Sequence, residues 1–266
     1  MKTKLLWFIA GLILGSCLIM ALAYTFGCFE NIEKKLYIEG DVGKNVQVKA
    51  WSDWDKKESI NNNGIKFQTI QLASVLKDAD ILGDLKSVYF VAHDGFTSVM
   101  DAADISECYL TYDKETGWSV VTPKHPISTN AKDLEKIILI SDGDDCKILT
   151  IVDKDDDSHS FSPGQILTGP ITAYPDFEGS AMTESDGKEY SSLIYTKSYG
   201  FSLSDLVPID STDYLLLKTK ANTEHFLPDT GHFTINDLTI NYVDEKGEVY
   251  EQVLQVEVHP FIALEE

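Results

Sequence analysis

No arginine occurs in the 266 residues; all 22 basic side chains are lysine. Arginine clamps phosphate and carboxylate with a planar, two-pronged geometry that lysine replaces poorly. A nucleotide or other phosphate-rich cofactor is therefore not expected, although a genome that favours lysine codons gives the same bias. Cysteine is scarce, with four residues, no Cys-x-x-Cys and no Cys/His spacing suited to zinc. Among the six histidines no pair has the i, i+4 spacing of a helix-borne metal site. Gly-x-Ser-x-Gly is absent, and no Ser-His-Asp motif stands out. No long amphipathic helical pattern appears. Paired carboxylates are so frequent that they discriminate nothing.

What is present begins with a long uncharged run. Residues 5–29 carry no charged side chain. At 1.5 Å per residue they reach roughly 37 Å, enough to cross a hydrocarbon core of about 30 Å with some tilt. Lys2 and Lys4 precede the run and Glu30 follows it. Positive charge favours the cytoplasmic side, which leaves residues 1–4 inside and exports the rest. A cleaved signal peptide has a shorter apolar region and a small-residue cleavage site, for which Gly27-Cys28-Phe29 is poor. Leu14-Gly15-Ser16-Cys17 resembles the lipobox of bacterial lipoproteins, but the apolar residues after Cys17 depart from that pattern. All three readings place the domain outside the cytoplasm, and the length favours an uncleaved single-pass anchor.

The exported part is strongly acidic. All 43 acidic residues follow position 29, against 20 lysines, a formal charge of −23. Nucleic acid and anionic headgroups repel such a surface, so nucleic-acid binding is set aside. The charge is first read as keeping an exported protein soluble; attraction of cations or basic partners is the alternative. Cys108 and Cys146 fall in this part, where a disulfide is chemically allowed; two buried free thiols are the alternative.

Short apolar runs separated by turn signals predict strands. Val46 to Trp51 alternates, and Asn61-Asn62-Asn63-Gly64 is a turn. Val88 to Ala92 and Tyr109 to Tyr112 are strands, as are Ile137 to Ile140 and Ile148 to Val152. Later strands are expected at Leu193 to Tyr195, Tyr214 to Lys218, Leu238 to Tyr242 and Val253 to Val258. Short helices are expected near Gln71 to Leu76 and Phe201 to Leu206, and turns at Ser162-Pro163-Gly164, Glu178-Gly179-Ser180 and residues 244–247. The fold class is β-rich α+β, with a tether over 30–43, a first lobe over 44–160 and a second over 161–266. The halves share an order of features. Leu72…Leu76 corresponds to Leu203…Val207, Val88 to Val91 to Tyr214 to Leu217, Tyr109 to Tyr112 to Thr239 to Tyr242, and Ile137 to Ile140 to Val253 to Val258. A tandem duplication explains this order; two unrelated lobes with common turn chemistry would also produce it.

Leu72-Ala73-Ser74-Val75-Leu76, followed by the strand Val88 to Ala92 and His93-Asp94-Gly95-Phe96, resembles the molybdopterin-binding domain of the sulfite oxidase family. There a short helix precedes a strand ending in an Asp-Gly turn. The resemblance covers roughly residues 64–140, and again 190–260. It implies a molybdenum-binding cysteine and basic residues on the pterin phosphate, arginine among them. This chain has no arginine, and Cys108 does not align clearly with the metal ligand. His93, Asp94 and Cys108 are the residues the resemblance singles out, while molybdopterin itself is not expected. A shared fold would serve as a binding scaffold.

Asp153, Asp155 and Asp157 match the first three ligand positions of an EF-hand-like loop, which suits Ca²⁺. Ser158 replaces the turn glycine and Gly164 the closing glutamate, so a solvated hairpin tip competes with a metal site. Trp51-Ser52-Asp53-Trp54 offers aromatics for stacking on a flat ligand, or for anchoring the core. The leading expectation is a membrane-anchored, extracytoplasmic protein that binds a small ligand or a membrane-protein partner without catalysis of its own. The alternative is a molybdopterin-type oxidoreductase or an accessory subunit of a membrane redox complex. If the apolar run alone holds the chain, Cys17→Ala stays in the membrane fraction through an alkaline wash; its release would show that a lipid on Cys17 does the holding.

Overall fold

The computed structural model describes residues 33–60, 66–122, 130–169, 172–185, 188–209, 213–236 and 238–260, with backbone alone at 59, 60, 67, 172–185 and 188–199. The expected anchor, the turn at 61–64 and His125 lie outside these residues. Among the described residues no helix is long and apolar enough to cross a membrane.

The first lobe contains β1 (Tyr37–Gly40), β2 (Val46–Gln47), β3 (Lys57–Ile60), β4 (Lys66–Gln71), α1 (Leu72–Val75), β5 (Asp84–Ala92), β6 (Thr97–Asp101), β7 (Tyr109–Asp113), β8 (Gly117–Val121) and β9 (Leu134–Asp142). The second contains β10 (Leu149–Val152), β11 (Ser158–Phe161), α2 (Pro163–Leu167), β12 (Thr172–Ser185), β13 (Lys188–Phe201), β14 (Tyr214–Thr219), β15 (Glu224–Pro228), β16 (His232–Asn236), β17 (Thr239–Val243), β18 (Val249–Tyr250) and β19 (Val253–His259). The chain is thus β-rich α+β with two mixed-sheet lobes and few helices. Alternation sets the faces: Leu215, Leu217 and Thr219 of β14 are buried, and Tyr214, Leu216 and Lys218 less so. Each lobe has its own core. Trp118, Phe90, Leu72 and Leu110 lie in the first. In the second, Phe233 stacks on Phe201 at 5.4 Å and tilts against Tyr242 at 4.9 Å.

The two lobes repeat one topology. The five-stranded sheets run β2-β1-β9-β5-β6 and β11-β10-β19-β14-β15. In each, one pair is parallel, β1 with β9 and β10 with β19. The companion sheets run β3-β4-β7-β8 and β12-β13-β16-β17-β18. Register follows: Ile38 and Phe90 pair with Ile137, as Ile151 and Leu217 pair with Val256. The helical turn is repeated too. Leu72 opens α1 two residues after Ile70, and Leu203 opens a 3-10 turn two residues after Phe201, with Ser202 forming a capping box. The second lobe adds β18, and its β12–β13 hairpin, in the place of β3–β4, is longer; only Gly200 and Phe201 of it pair with β16.

Several expectations are corrected. The supposed tether 30–43 contains β1, because Leu36 and Ile38 alternate with Tyr37 and Glu39 and enter the core. The expected lobe boundary at 160/161 falls too late: β10 and β11 join the second sheet through β19. The halves match one hairpin differently, with β7 and β8 equivalent to β16 and β17, so Tyr109 to Tyr112 answers to 232–235 rather than to Thr239 to Tyr242. Residues 178–180 are strand with a bulge after Phe177, not a turn. Ser162-Pro163-Gly164 opens α2, with a Ser162–Gln165 capping box.

One carboxylate joins the lobes. Asp41, fully buried, follows β1. Its Oδ2 accepts the Ser141 N–H at 2.7 Å and its Oδ1 accepts the Gly164 N–H at 2.7 Å. Gly164 is in the first turn of α2, so an element of the second lobe is held on β1 and β9 of the first. The approach leaves no room for a side chain: a Cβ on Gly164 would meet the Leu139 carbonyl oxygen at 2.2 Å, and one on Gly40, at φ +98°, would meet the same oxygen at 2.4 Å. Hydrogen bonds to an ionised group contribute about 1.5–3 kcal/mol each. Asp41→Asn presents an amide donor to one of these N–H groups and is expected to lose at least about 2 kcal/mol in urea unfolding; a wild-type midpoint would show that the joint is not held there.

Candidate functional site

The residues picked out by sequence fall into turn geometry. Four hairpins close in the same way, at residues 92–96, 153–157, 219–223 and 244–248. In each, the first N–H donates to the fifth carbonyl and the fourth N–H to the first carbonyl, at 2.9–3.1 Å. The fourth residue is left-handed every time: Gly95, Asp156, Asn222 and Gly247. The His93-Asp94-Gly95 turn therefore has a counterpart at the same place in the second lobe, Lys220-Ala221-Asn222, without histidine or aspartate. Asp94 accepts the Phe96 N–H at 3.0 Å, and His93, at the surface, lies 3.7 Å from Glu135. Cys108 is elsewhere, fully buried in the first core. Burial pushes its thiol up to about 12.

The acidic loop is a turn of the same kind. Asp153 Oδ1 accepts the N–H groups of Asp155 and Asp157 at 2.9 and 3.0 Å, and Oδ2 lies 3.0 Å from His159 Nε2. The His159 hydrogen bond, then those amides, hold the Asp153 carboxyl below its ordinary range. Asp244 receives Lys246 and Glu248 in the same way, at 2.9 and 2.8 Å. Asp155 and Asp157 are exposed. Among the described residues no group of three His, Cys, Asp or Glu is arranged to hold a metal ion. Asp153 thus satisfies N–H groups of its own turn, as Asp244 does. Cys146 is a buried free thiol that donates to the Gly143 carbonyl at 2.9 Å, and Cys108 is free as well. Burial, then the charge of Asp41, raise the Cys146 thiol. Trp51 packs edge-on against Trp118 at 5.7 Å, which anchors the core, and the Trp54 indole donates to the Lys49 carbonyl.

The feature that the fold does not account for lies on the outer face of the second five-stranded sheet. Phe226 on β15 is 60% exposed, more than any other large apolar side chain described. It stacks on Tyr214 at 5.1 Å with planes 3° apart, and His259 lies 5.9 Å away. The register carries the same rungs into the first sheet. Phe226 pairs with Leu216 as Val99 pairs with Tyr89, and Tyr214 pairs with His259 as Ser87 pairs with Ile140. The first lobe builds these rungs without an aromatic stack, so the sheet does not require one. Lys218 is ion-paired with Glu257, and that hydrogen bond raises its pKa. Gln255 donates to Glu257 at 2.9 Å. The sequence reading missed Phe226; its signal is parity, since Phe226 alternates with His225 and Leu227 and shares its face with Glu224 and Pro228.

Beyond Pro228 two acids meet. Asp213 is 4% exposed, and Asp229 is half-buried and donates its N–H to the Asp213 carbonyl at 3.2 Å. Burial, then the Asp213 charge, raise the Asp229 carboxyl. Tyr242 Oη accepts the Gly231 N–H at 2.9 Å and donates to the Pro228 carbonyl at 3.2 Å; burial pushes the phenol up to about 12.

No protein-family model matches the chain, and no curated protein does. Among solved structures, the sulfane dehydrogenase SoxCD from Paracoccus pantotrophus is similar at 12% identity and a TM-score of 0.34, over 82% of this chain and 77% of that one. A likeness at that level carries no argument about activity.

Two outcomes follow from the local chemistry. Asp153→Asn and Asp244→Asn are expected to lower the melting temperature alike, with or without Ca²⁺; a Ca²⁺-dependent effect confined to Asp153 would contradict the turn reading. Asp229 has a folded-state pKa above its unfolded value, so the folded state binds more protons between the two and loses stability as pH rises through that interval. Asp229→Asn should raise stability in urea at neutral pH, with the gain fading below about pH 4; a loss at pH 7 would show that the carboxylate is needed there.

Proposed function

We propose that the chain is a membrane-anchored, extracytoplasmic binding protein without catalytic activity of its own, and that it meets its partner through the outer face of the second five-stranded sheet. The single observation behind this reading is the Tyr214–Phe226 stack, exposed at positions where the first sheet has Ser87 and Val99. A stacked aromatic pair offers a large, rigid contact area to a partner. The export reading rests on the uncharged run at 5–29 and the lysines before it. The shared strand order and register support a tandem duplication, in which one lobe kept the scaffold and the other gained the stack.

The molybdopterin reading finds no support in the residues. A metal-binding cysteine must act as a thiolate in an open site, and Cys108 is closed in the core with a raised pKa. Cys146 is also buried, beside the carboxylate of Asp41. Neither suits an anionic cofactor, and the arginines expected on the pterin phosphate are missing.

Phe226→Ala removes an exposed ring and should leave the unfolding transition unchanged. Purified from membranes in mild detergent, the wild-type chain is expected to run as a complex and the variant as a monomer. A wild-type chain recovered alone, or a variant that keeps its partner, would count against this face.

A further inference from the structure

One step beyond the last β14–β15 pair, two acids face each other. Tyr214 pairs with Pro228, so Asp213 and Asp229 come next in the same antiparallel register, and the Asp229 N–H donates to the Asp213 carbonyl at 3.2 Å. Residues opposite one another in such a pair have Cβ atoms about 4.5–5.5 Å apart, and like charges there are destabilising. Alternation puts both acids on the side of Leu215 and Leu227, away from Phe226. Asp213 is buried and Asp229 half-buried. The first lobe has Lys86 and Ala102 at these positions, one step beyond its Ser87–Asp101 pair, so the scaffold does not require the acids.

Asp229 is held where it is. It sits on a strap, Pro228 to Gly231, and one phenol grips the strap on both sides of it. Tyr242 Oη donates to the Pro228 carbonyl at 3.2 Å and accepts the Gly231 N–H at 2.9 Å. Tyr242 belongs to β17 of the companion sheet, and burial pushes its phenol up to about 12, so it keeps its proton. Two carboxylates held in this way have two ways to relieve their repulsion: one takes up a proton, or the strap lets go. We propose that the Asp213–Asp229 pair is a proton-operated latch on the 228–231 strap, closed when Asp229 holds a proton and opened when it is ionised. Burial, then the charge of Asp213, favour the protonated form in the closed state. With the strap open, Asp229 is in water and returns to its ordinary value of about 4. The closed state thus binds more protons between the two values, and it loses ground as pH rises from the lower to the higher. The other titratable groups around the strap are Tyr242 and Asp244 of the companion sheet, His232, which opens β16, and His259, which pairs with Tyr214.

The test is hydrogen–deuterium exchange of the full chain in detergent from about pH 4 to about pH 8, corrected for the intrinsic pH dependence of amide exchange. Protection of the Asp229 and Gly231 amides is expected to fall several-fold as pH rises. The Lys220 N–H, bonded to the Gln252 carbonyl at the other end of β14, should keep its protection. Asp229→Asn removes the charge at nearly constant size, and should keep the strap closed and abolish the pH dependence. Asp213→Asn should shrink the fall, and His259→Gln should leave it as in the wild type. Equal protection across the pH range in the wild type, a fall shared by Lys220, or an undiminished fall in Asp229→Asn would overturn the latch.

Discussion

A single buried carboxylate sets how the second lobe meets the first. Asp41 accepts one N–H from β9 and one from the start of α2, and its own backbone is bonded to Leu139 and Leu82. A buried charge is tolerable only when fully hydrogen-bonded. The surroundings conform to that demand. Gly40 turns into the left-handed region, Gly164 keeps no side chain, and both crowd the Leu139 carbonyl. The joint is polar and tight, and the two hydrophobic cores lie on either side of it as separate clusters.

The joint is not repeated at the far side of the second lobe. In register with the parallel strands, the rung of Ile138 carries Glu257 in the second sheet, and that of Ile140 carries His259. Ile138 is buried, whereas the Glu257 and His259 side chains are partly open to water. Glu257 and His259 border the Tyr214–Phe226 pair, with His259 5.9 Å from the Phe226 ring.

Repetition within one chain separates scaffold from specialisation. The Asp-Gly turn and the acidic loop both drew attention as sequence motifs. The structure shows each of them again where no site was suspected, at Asn222 and at Asp244, with the same backbone bonds. Motif residues that merely shape a hairpin reappear wherever the hairpin does. Strand positions were legible from alternation, as in Tyr214 to Lys218 and Val253 to Val258. The tether reading failed at β1 because its four residues are too few, and too mixed with charge, to show a period. The correspondence of the lobes was legible in order, but it slipped by one strand, since strand pairing is non-local and successive hairpins look alike. Cys108 read as a ligand candidate because burial cannot be seen in a sequence. Phe226 drew no notice in the sequence, since an apolar residue between turn signals gives no sign of its exposure.

The Tyr214–Phe226 stack is the feature on which the functional reading depends. Hydroxyl-radical footprinting compares its exposure on intact membranes and on the purified chain. If a partner covers this face, Phe226 and Tyr214 oxidise slowly in membranes and Phe226 quickly after purification, while Phe96 reacts equally in both. Equal reactivity of Phe226 in the two states would contradict the central claim.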